Sequence, residues 1–329
     1  MIITQTPVRI SLLGGGTDYP AYFRQHGGAT LVATINKYTL VTVHRLTQFV
    51  DHSVRIHYSQ VESVRHVDEI QHASARECLR FLGIKGGVEI HYVSDLPART
   101  GLGSSSSATV GLLLALHAFK GEMVSREQVA EEAVYVEQKM IKERVGCQDQ
   151  YACALGGLLH LEFQQDGKVR ANPVVLPEGR LLPVEKRLLL LYTAIQRNAH
   201  ELLDEQIERT QSGRNSKELE SLKRLVNQGM EVLTTSHDVS EFGALLHEGW
   251  MLKRGLSGKI TTSWIDDLYE RARRAGAVGG KLLGAGGGGF LLLYVEPDNR
   301  KRVLNALPEL RETEFSFENY GSQIIFYRP

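Results

Sequence analysis

Two patterns of apolar and polar positions divide this chain. Short apolar or β-branched runs bounded by Gly, Pro or polar clusters predict strands at 8–13, 30–44, 54–58, 88–93, 158–163, 188–193 and 323–327. A period near 3.6 predicts helices at 69–82, 105–119, 126–142, 199–211, 219–233, 239–254 and 263–275. In the first of these Ile70, Ala73, Leu79 and Leu82 share a face, and in the third Val129, Ala133, Val136 and Met140 do. Ser125 and Gln128 have capping-box spacing, and Ser263 with Asp266 suits a helix start. Residues 281–295 read as strand, glycine loop, strand. Pro173, Pro177, Gly179 and Pro183 crowd 172–186, which predicts a junction there and domains over 1–182 and 183–329. The pattern agrees with mixed α and β, the first half mixed and the second more helical.

Composition narrows the function. Lys plus Arg and Asp plus Glu are both 38 in 329 residues, so no net field draws nucleic acid or an anionic membrane. The longest apolar stretch, 108–119, falls short of the ~18 residues of a membrane helix. The N-terminal MIITQTPVRI lacks the pattern of a signal peptide, and Cys78, Cys147 and Cys153 form no disulfide framework. A reduced, cytoplasmic protein is the expectation. Glycine is the unusual count, 32 residues against a usual ~7%.

Those glycines concentrate in three segments. PVRISLLGGGTDYP, 7–20, runs a strand into a turn presenting Thr17 and Asp18. It is a plain strand-end turn or a binding loop, but no dinucleotide fingerprint, because position 19 is tyrosine. DLPARTGLGSSSSA, 95–108, folds a glycine turn into an apolar helix that opens with four serines. One serine suffices as an N-cap; four after G-x-G favour an anion site on the helix N-terminus. GKLLGAGGGGF, 280–290, puts five glycines into six positions, as a backbone does where it closely approaches a ligand or another loop. It is no Walker A loop: Ala275 and Leu282 stand where Gly and Ser or Thr belong.

In this order and spacing the three segments resemble the motifs of the GHMP small-molecule kinases, LPARTGLGSSSSA being the most specific. The resemblance covers essentially the whole chain. Within the family, GGGTDYP, QDQYACALGG and GGKLLGAGGGGF resemble the branch that phosphorylates the anomeric hydroxyl of D-glycero-D-manno-heptose 7-phosphate. It implies an α+β fold of two domains with the active site in the interdomain cleft, and ATP and Mg²⁺ as cofactors.

Residue by residue, the resemblance implies that Gly101, Leu102, Gly103, Ser104, Ser105 and Ser106 hold the ATP phosphates. Ser105 and Glu137 would hold Mg²⁺, with Ser104 or Ser106 exchangeable for Ser105. Helical geometry places Glu132 as near the apolar face as Glu137; the family's Glu-to-Asp interval favours Glu137. Asp149 would be the catalytic acid-base residue, and Arg9 would pair with it and stabilise transferred charge. Gly15, Gly16, Thr17 and Asp18 would line the sugar pocket, and Gly284, Gly286, Gly287 and Gly288 would support the phosphate loop. Arg197 would hold the substrate's own phosphate, with Arg24 and Lys253 as weaker choices. One departure from that branch is Ala194, where its members tend to carry glycine. Cys147 has no histidine placed beside it by sequence, and His66 and His72 suit a solvated face. Other readings are a kinase of a free sugar such as galactose or fucose, a non-catalytic sensor, and a scaffold whose glycines serve only turns.

Overall fold

The computed structural model describes residues 1–47, 49–98, 100–195, 199–235 and 238–328, without the side chains of 199–202. The strands are β1 (Ile2–Leu13), β2 (Gly28–Arg45), β3 (Val54–His57), β4 (Val61–Val64), β5 (Val88–Ser94), β6 (Leu158–Phe163) and β7 (Val169–Pro173). They continue with β8 (Leu188–Tyr192), β9 (Ala277–Leu282), β10 (Phe290–Val295), β11 (Arg311–Glu312) and β12 (Gln323–Tyr327). The α-helices are α1 (Pro20–His26), α2 (Ala73–Phe81), α3 (Ser104–Lys120), α4 (Arg126–Tyr135), α5 (Gln148–Leu155) and α6 (Leu181–Arg187). Then follow α7 (Ala199–Gln211), α8 (Ser216–Thr234), α9 (Glu241–Gly255), α10 (Ser263–Arg274) and α11 (Arg300–Ala306).

Long β2 organises the first sheet. It pairs β1 along one edge and, along the other, β6 near its start and β5 near its end. The path β12-β1-β2-β5-β3-β4 is antiparallel except for β3 beside β5. Helix α3 lies against β1 and β2, and Gly111 is what lets it approach. A Cβ there would come 2.7 Å from Thr6 Oγ1, and the Gly111 carbonyl accepts from Thr4 Oγ1 at 2.9 Å. The second sheet, β11-β8-β10-β9, is antiparallel. Its leucine-rich β8 and β10 are almost wholly buried, as continuous apolar runs require. Val8, Ile10 and Leu12 of β1 share one core cluster with Leu189 and Leu291, so the two sheets are joined by packing. No helix among the described residues is long and apolar enough to cross a membrane.

Several expectations shift. Strand β12 returns to β1, with Ile2 opposite Tyr327, so a stretch assigned by sequence to 183–329 sits on the first sheet. Long-range strand pairing leaves no local signal of this kind. The helix expected over 126–142 ends as α-helix at Tyr135 and continues as a π-turn, Val136–Met140, closed by the Ile141 N–H to Val136 O bond. Ser125 accepts from the Gln128 N–H at 3.1 Å, but the Gln128 side chain turns to Glu132 rather than back to complete the box. Thr262, not Ser263, caps α10, accepting from the Ile265 N–H.

Candidate active site

A cleft of about 1090 Å³ opens between the halves, lined from one side by β1, the turn after it, α3 and Asp149, and from the other by Lys253, Lys281 and the glycine run. That volume can take a nucleotide and a small sugar together. On β1, alternation sends Val8, Ile10 and Leu12 into the core and turns Arg9 and Ser11 to the cleft.

Arg9 is the hub. Its Nε donates to Asp149 Oδ1 at 2.8 Å and its Nη2 to Oδ2 at 2.6 Å, a bidentate pair. Its Nη1 donates to the Gly101 carbonyl at 2.7 Å. Burial disfavours the guanidinium charge, but Asp149 outweighs it and the Arg9 pKa is raised. One side chain thus fixes both the proposed acid-base residue and the loop expected to carry phosphate.

That loop ends in Gly103, in the left-handed region at φ 74°, from which α3 starts with Ser104. The first N–H groups of a helix have no intrahelical acceptor and carry partial positive charge. The glycine run packs backbone to backbone on this loop. A Cβ on Gly284 would lie 2.4 Å from Gly101 Cα and one on Gly289 2.3 Å from Thr100 O; Gly286 and Gly288, expected to support the loop, instead face Ile260 O and Ile195 O, each 2.6 Å from such a Cβ. Gly287 anchors its end of the run by donating to Ile260 O at 2.8 Å. Gly284→Ala would add this clash to a φ of 71°. The expected result is a loss of about 2–4 kcal/mol in stability, read by denaturant melts, and a weakened thermal shift with Mg²⁺-ATP.

Glu137 lies behind the serines. It is 1% exposed, where helical geometry had placed it at the margin of the apolar face; it stands four positions after the buried Ala133, with the serine end of α3 against it. Glu137 Oε2 accepts from Ser106 Oγ at 2.9 Å and from Gln150 Nε2. Its Oε1 is buried without a hydrogen-bond partner. Burial pushes the carboxyl up to about 7, against the hydrogen bonds that pull it down. Glu132 is turned away and paired with His117 at 2.7 Å, which separates the two carboxylates that geometry alone left equal. Of the serines, Ser106 bonds Glu137, while Ser104 and Ser105 line the cleft.

Asp18 reaches the cleft from the turn after β1. It is 2% exposed and accepts from the Gly16 N–H at 3.0 Å. Burial, then Asp149, raises its pKa to about 6. Gly146 is indispensable beside it, since a Cβ there would lie 1.7 Å from Asp18 Oδ2. Gly15 and Gly16 line the cleft. Thr17, expected with them, does not: it is fully buried, and its hydroxyl faces the carbonyls of Gly14 and Ala29 while accepting from the Ala29 N–H. Its role is to pin the turn.

Lys253 and Lys281 face the cleft yet are 8% and 6% exposed. Lys253 donates to the carbonyls of Leu282 and Gly284, and Lys281 to Leu12 O at 3.0 Å. Burial, followed by the nearby Arg9 charge, lowers Lys253 to about 8. Arg24 is exposed and outside the cleft lining, and Arg197 lies outside the described residues. His72 is not on a solvated face. It caps α2 through Nδ1, stacks on Tyr92 at 5.0 Å and lines the cleft. Cys147 is 4% exposed and burial pushes its thiol up to about 12, so it is no nucleophile. Ala194 sits at φ 56°, a conformation natural to the glycine of the resembling branch.

Sequence reading missed Ser11, Lys281, Gln148 and Tyr92. The first was within reach, being two strand positions beyond Arg9 and on the same face. The others owe their place to β9, α5 and β5 converging on one cleft.

The chain matches known proteins along its length. The GHMP kinases N terminal domain matches residues 69–157 and the GHMP kinases C terminal matches residues 191–312. The D-glycero-alpha-D-manno-heptose 7-phosphate kinase of Campylobacter jejuni is 28% identical over 97% of both chains. The galactokinase of Pyrococcus furiosus is 23% identical over 96% of this chain and 95% of its own. The solved structure of a D-glycero-D-manno-heptose 1-phosphate kinase from Bacteroides thetaiotaomicron has TM-score 0.81 and 24% identity, covering 100% of both chains.

Proposed function

The chain belongs to the GHMP kinase family and is an ATP-dependent sugar kinase, and from that premise we propose that its acceptor is D-glycero-D-manno-heptose 7-phosphate. The γ-phosphoryl group goes to the anomeric hydroxyl, giving the 1,7-bisphosphate for GDP-heptose synthesis. The observation that carries this reading is the Arg9–Asp149 pair bonded to Gly101, which couples an acid-base group to a phosphate loop. The full-length likeness to the Campylobacter kinase supports the choice of sugar.

In this reading Gly101 to Ser106 cradle the ATP phosphates through backbone N–H groups. Asp18 accepts hydrogen bonds from sugar hydroxyls, and Gly15 and Gly16 leave room for the ring. Asp149 takes the proton of the anomeric hydroxyl as the new O–P bond forms and ADP leaves. Arg9 and the α3 N-terminus stabilise charge spread over the transferred oxygens.

The residues fit Mg²⁺: a buried carboxylate oxygen of Glu137 has no partner, and a serine hydroxyl lies beside it. Glu137 would hold the ion with Ser105, by resemblance, or Ser106, by the observed bond. When bound, Mg²⁺ would offset the negative charge that develops on the transferred phosphoryl group. Arg197 is the proposed clamp on the substrate's 7-phosphate.

A free-sugar acceptor is the second reading. It is favoured by the cations at the cleft already being engaged: Arg144 with Asp204 at 2.5 Å, and the two lysines with carbonyls. ATP turnover with Mg²⁺ decides between them on a panel of heptose 7-phosphate, heptose 1-phosphate, free heptose, mannose 6-phosphate, galactose and fucose. The expected result is kcat/KM at least tenfold higher for heptose 7-phosphate than for free heptose. Preference for a free sugar would keep the kinase and discard the phosphorylated acceptor.

A further inference from the structure

Three histidines converge on one glutamate on the sheet face away from the cleft. The register sets His44 opposite Glu89 across β2 and β5, and His57 opposite His91 across β3 and β5. Glu89 and His91, two positions apart on β5, share that face, while Tyr92 and Ser94 point to the cleft. His57 Nε2 and His91 Nε2 each lie 3.1 Å from Glu89 Oε1, and their rings stack at 4.1 Å and 6°. His44 Nε2 lies 3.7 Å from Oε2. The candidate ligand atoms of His44, Glu89 and His91 all fall within 4.8 Å of one another.

The tautomer of His44 supplies the second argument. Its Nδ1 is 3.1 Å from the Arg45 carbonyl, which can only accept, so Nδ1 carries the proton. With Nδ1 bonded to the backbone, Nε2 faces Glu89 Oε2, where a ring proton or a metal ion can bridge the two. Backbone fixation of the far ring nitrogen is how metal-ligating histidines are oriented. Arg55 Nη1 stays 3.7 Å from Glu89 Oε1, and its Nε donates to His52.

We propose that His44, His91 and Glu89 form a binding site for a divalent transition metal, best suited to Zn²⁺. Two imidazoles and a carboxylate are a familiar zinc donor set, with water at the fourth corner. Tetrahedral ligand atoms sit about 3.3 Å apart, so side-chain adjustments alone close the site. His57 donates to the carboxylate and orients it. Metal binding releases to solvent any proton held on the ligand atoms. The ion ties β2 to β5 and touches no cleft residue.

The test titrates the full chain with Co²⁺ as a spectroscopic stand-in, then displaces it with Zn²⁺. A tetrahedral visible band should saturate at one equivalent, and Zn²⁺ should raise Tm. His44→Gln and His91→Gln should each weaken binding by at least about tenfold and abolish the Tm rise. Kinase turnover in these variants should stay within about twofold of the parent, which also reports that they fold. Glu89→Gln, which keeps the shape, is a third variant. No band at one equivalent, or a band unchanged in all three variants, overturns the site.

Discussion

Asp149→Asn should lower kcat by about 10²–10⁴ while leaving the ATP-induced thermal shift in place. The amide keeps the shape of the carboxylate and can still accept one guanidinium bond, but it takes no proton from the sugar hydroxyl. Arg9 would retain its bond to Gly101, so the phosphate loop should hold. Asp149→Ala is a harsher change. It strips the partner from a guanidinium that is 4% exposed, while Asp149 itself is 25% exposed. The added instability should fall toward the lower end of the ~3–5 kcal/mol typical of broken buried pairs. Single-turnover kinetics on the asparagine variant separates the roles. If kcat fell less than tenfold, Asp149 would serve only to position Arg9, as a loose transition state permits.

The second large effect concerns Glu137. Its carboxyl, pushed up to about 7 by burial, lies above the ordinary glutamate value. The native chain therefore keeps a proton that the unfolded chain releases between about pH 4.5 and 7. Stability from this group is present below that window and is lost as pH rises through it, on the order of 3 kcal/mol in total. Glu137→Gln should flatten this dependence. Without Mg²⁺ the variant should match the parent near pH 4.5 and melt above it at pH 8. Turnover should fall by about 10²–10³ at the same time, because an anionic ligand has been removed from the phosphates. Asp18, raised to about 6, adds a fall of the same sign, and comparing variant with parent cancels it. Tm measured across pH 4.5 to 8 decides; a parallel shift at all pH values would show that Glu137 is not the titrating group.

Much of the site was legible in the sequence because its chemistry is local. The turn at Gly103 and the serine-led helix need only neighbouring residues, and the glycine run declares close backbone contact wherever it packs. The Arg9–Asp149 pair was named from the resemblance alone. Its bidentate geometry, and the third bond to Gly101, required a strand and a helix 140 positions apart to meet. Thr17 shows the opposite failure. Next to Asp18 in sequence, it turns inward because the strand-to-turn geometry directs its hydroxyl to Gly14 and Ala29. His72 failed in the same way: a histidine expected on a solvated face became a helix cap stacked in the cleft.

What the sequence determined by itself is therefore the periodic elements, the glycine-serine loop before α3 and the residue types available for catalysis, because backbone propensity and side-chain chemistry act over a few residues. The tertiary structure decided which of two nearby glutamates faces the serines: against α3, Glu137 meets Ser106 and Glu132 meets His117. It decided that β12 closes on β1, and that Lys253 and Lys281 lie buried at the cleft with carbonyls for partners. It also gathered His44, Glu89 and His91 on one face, since strand register is set by pairing between distant segments.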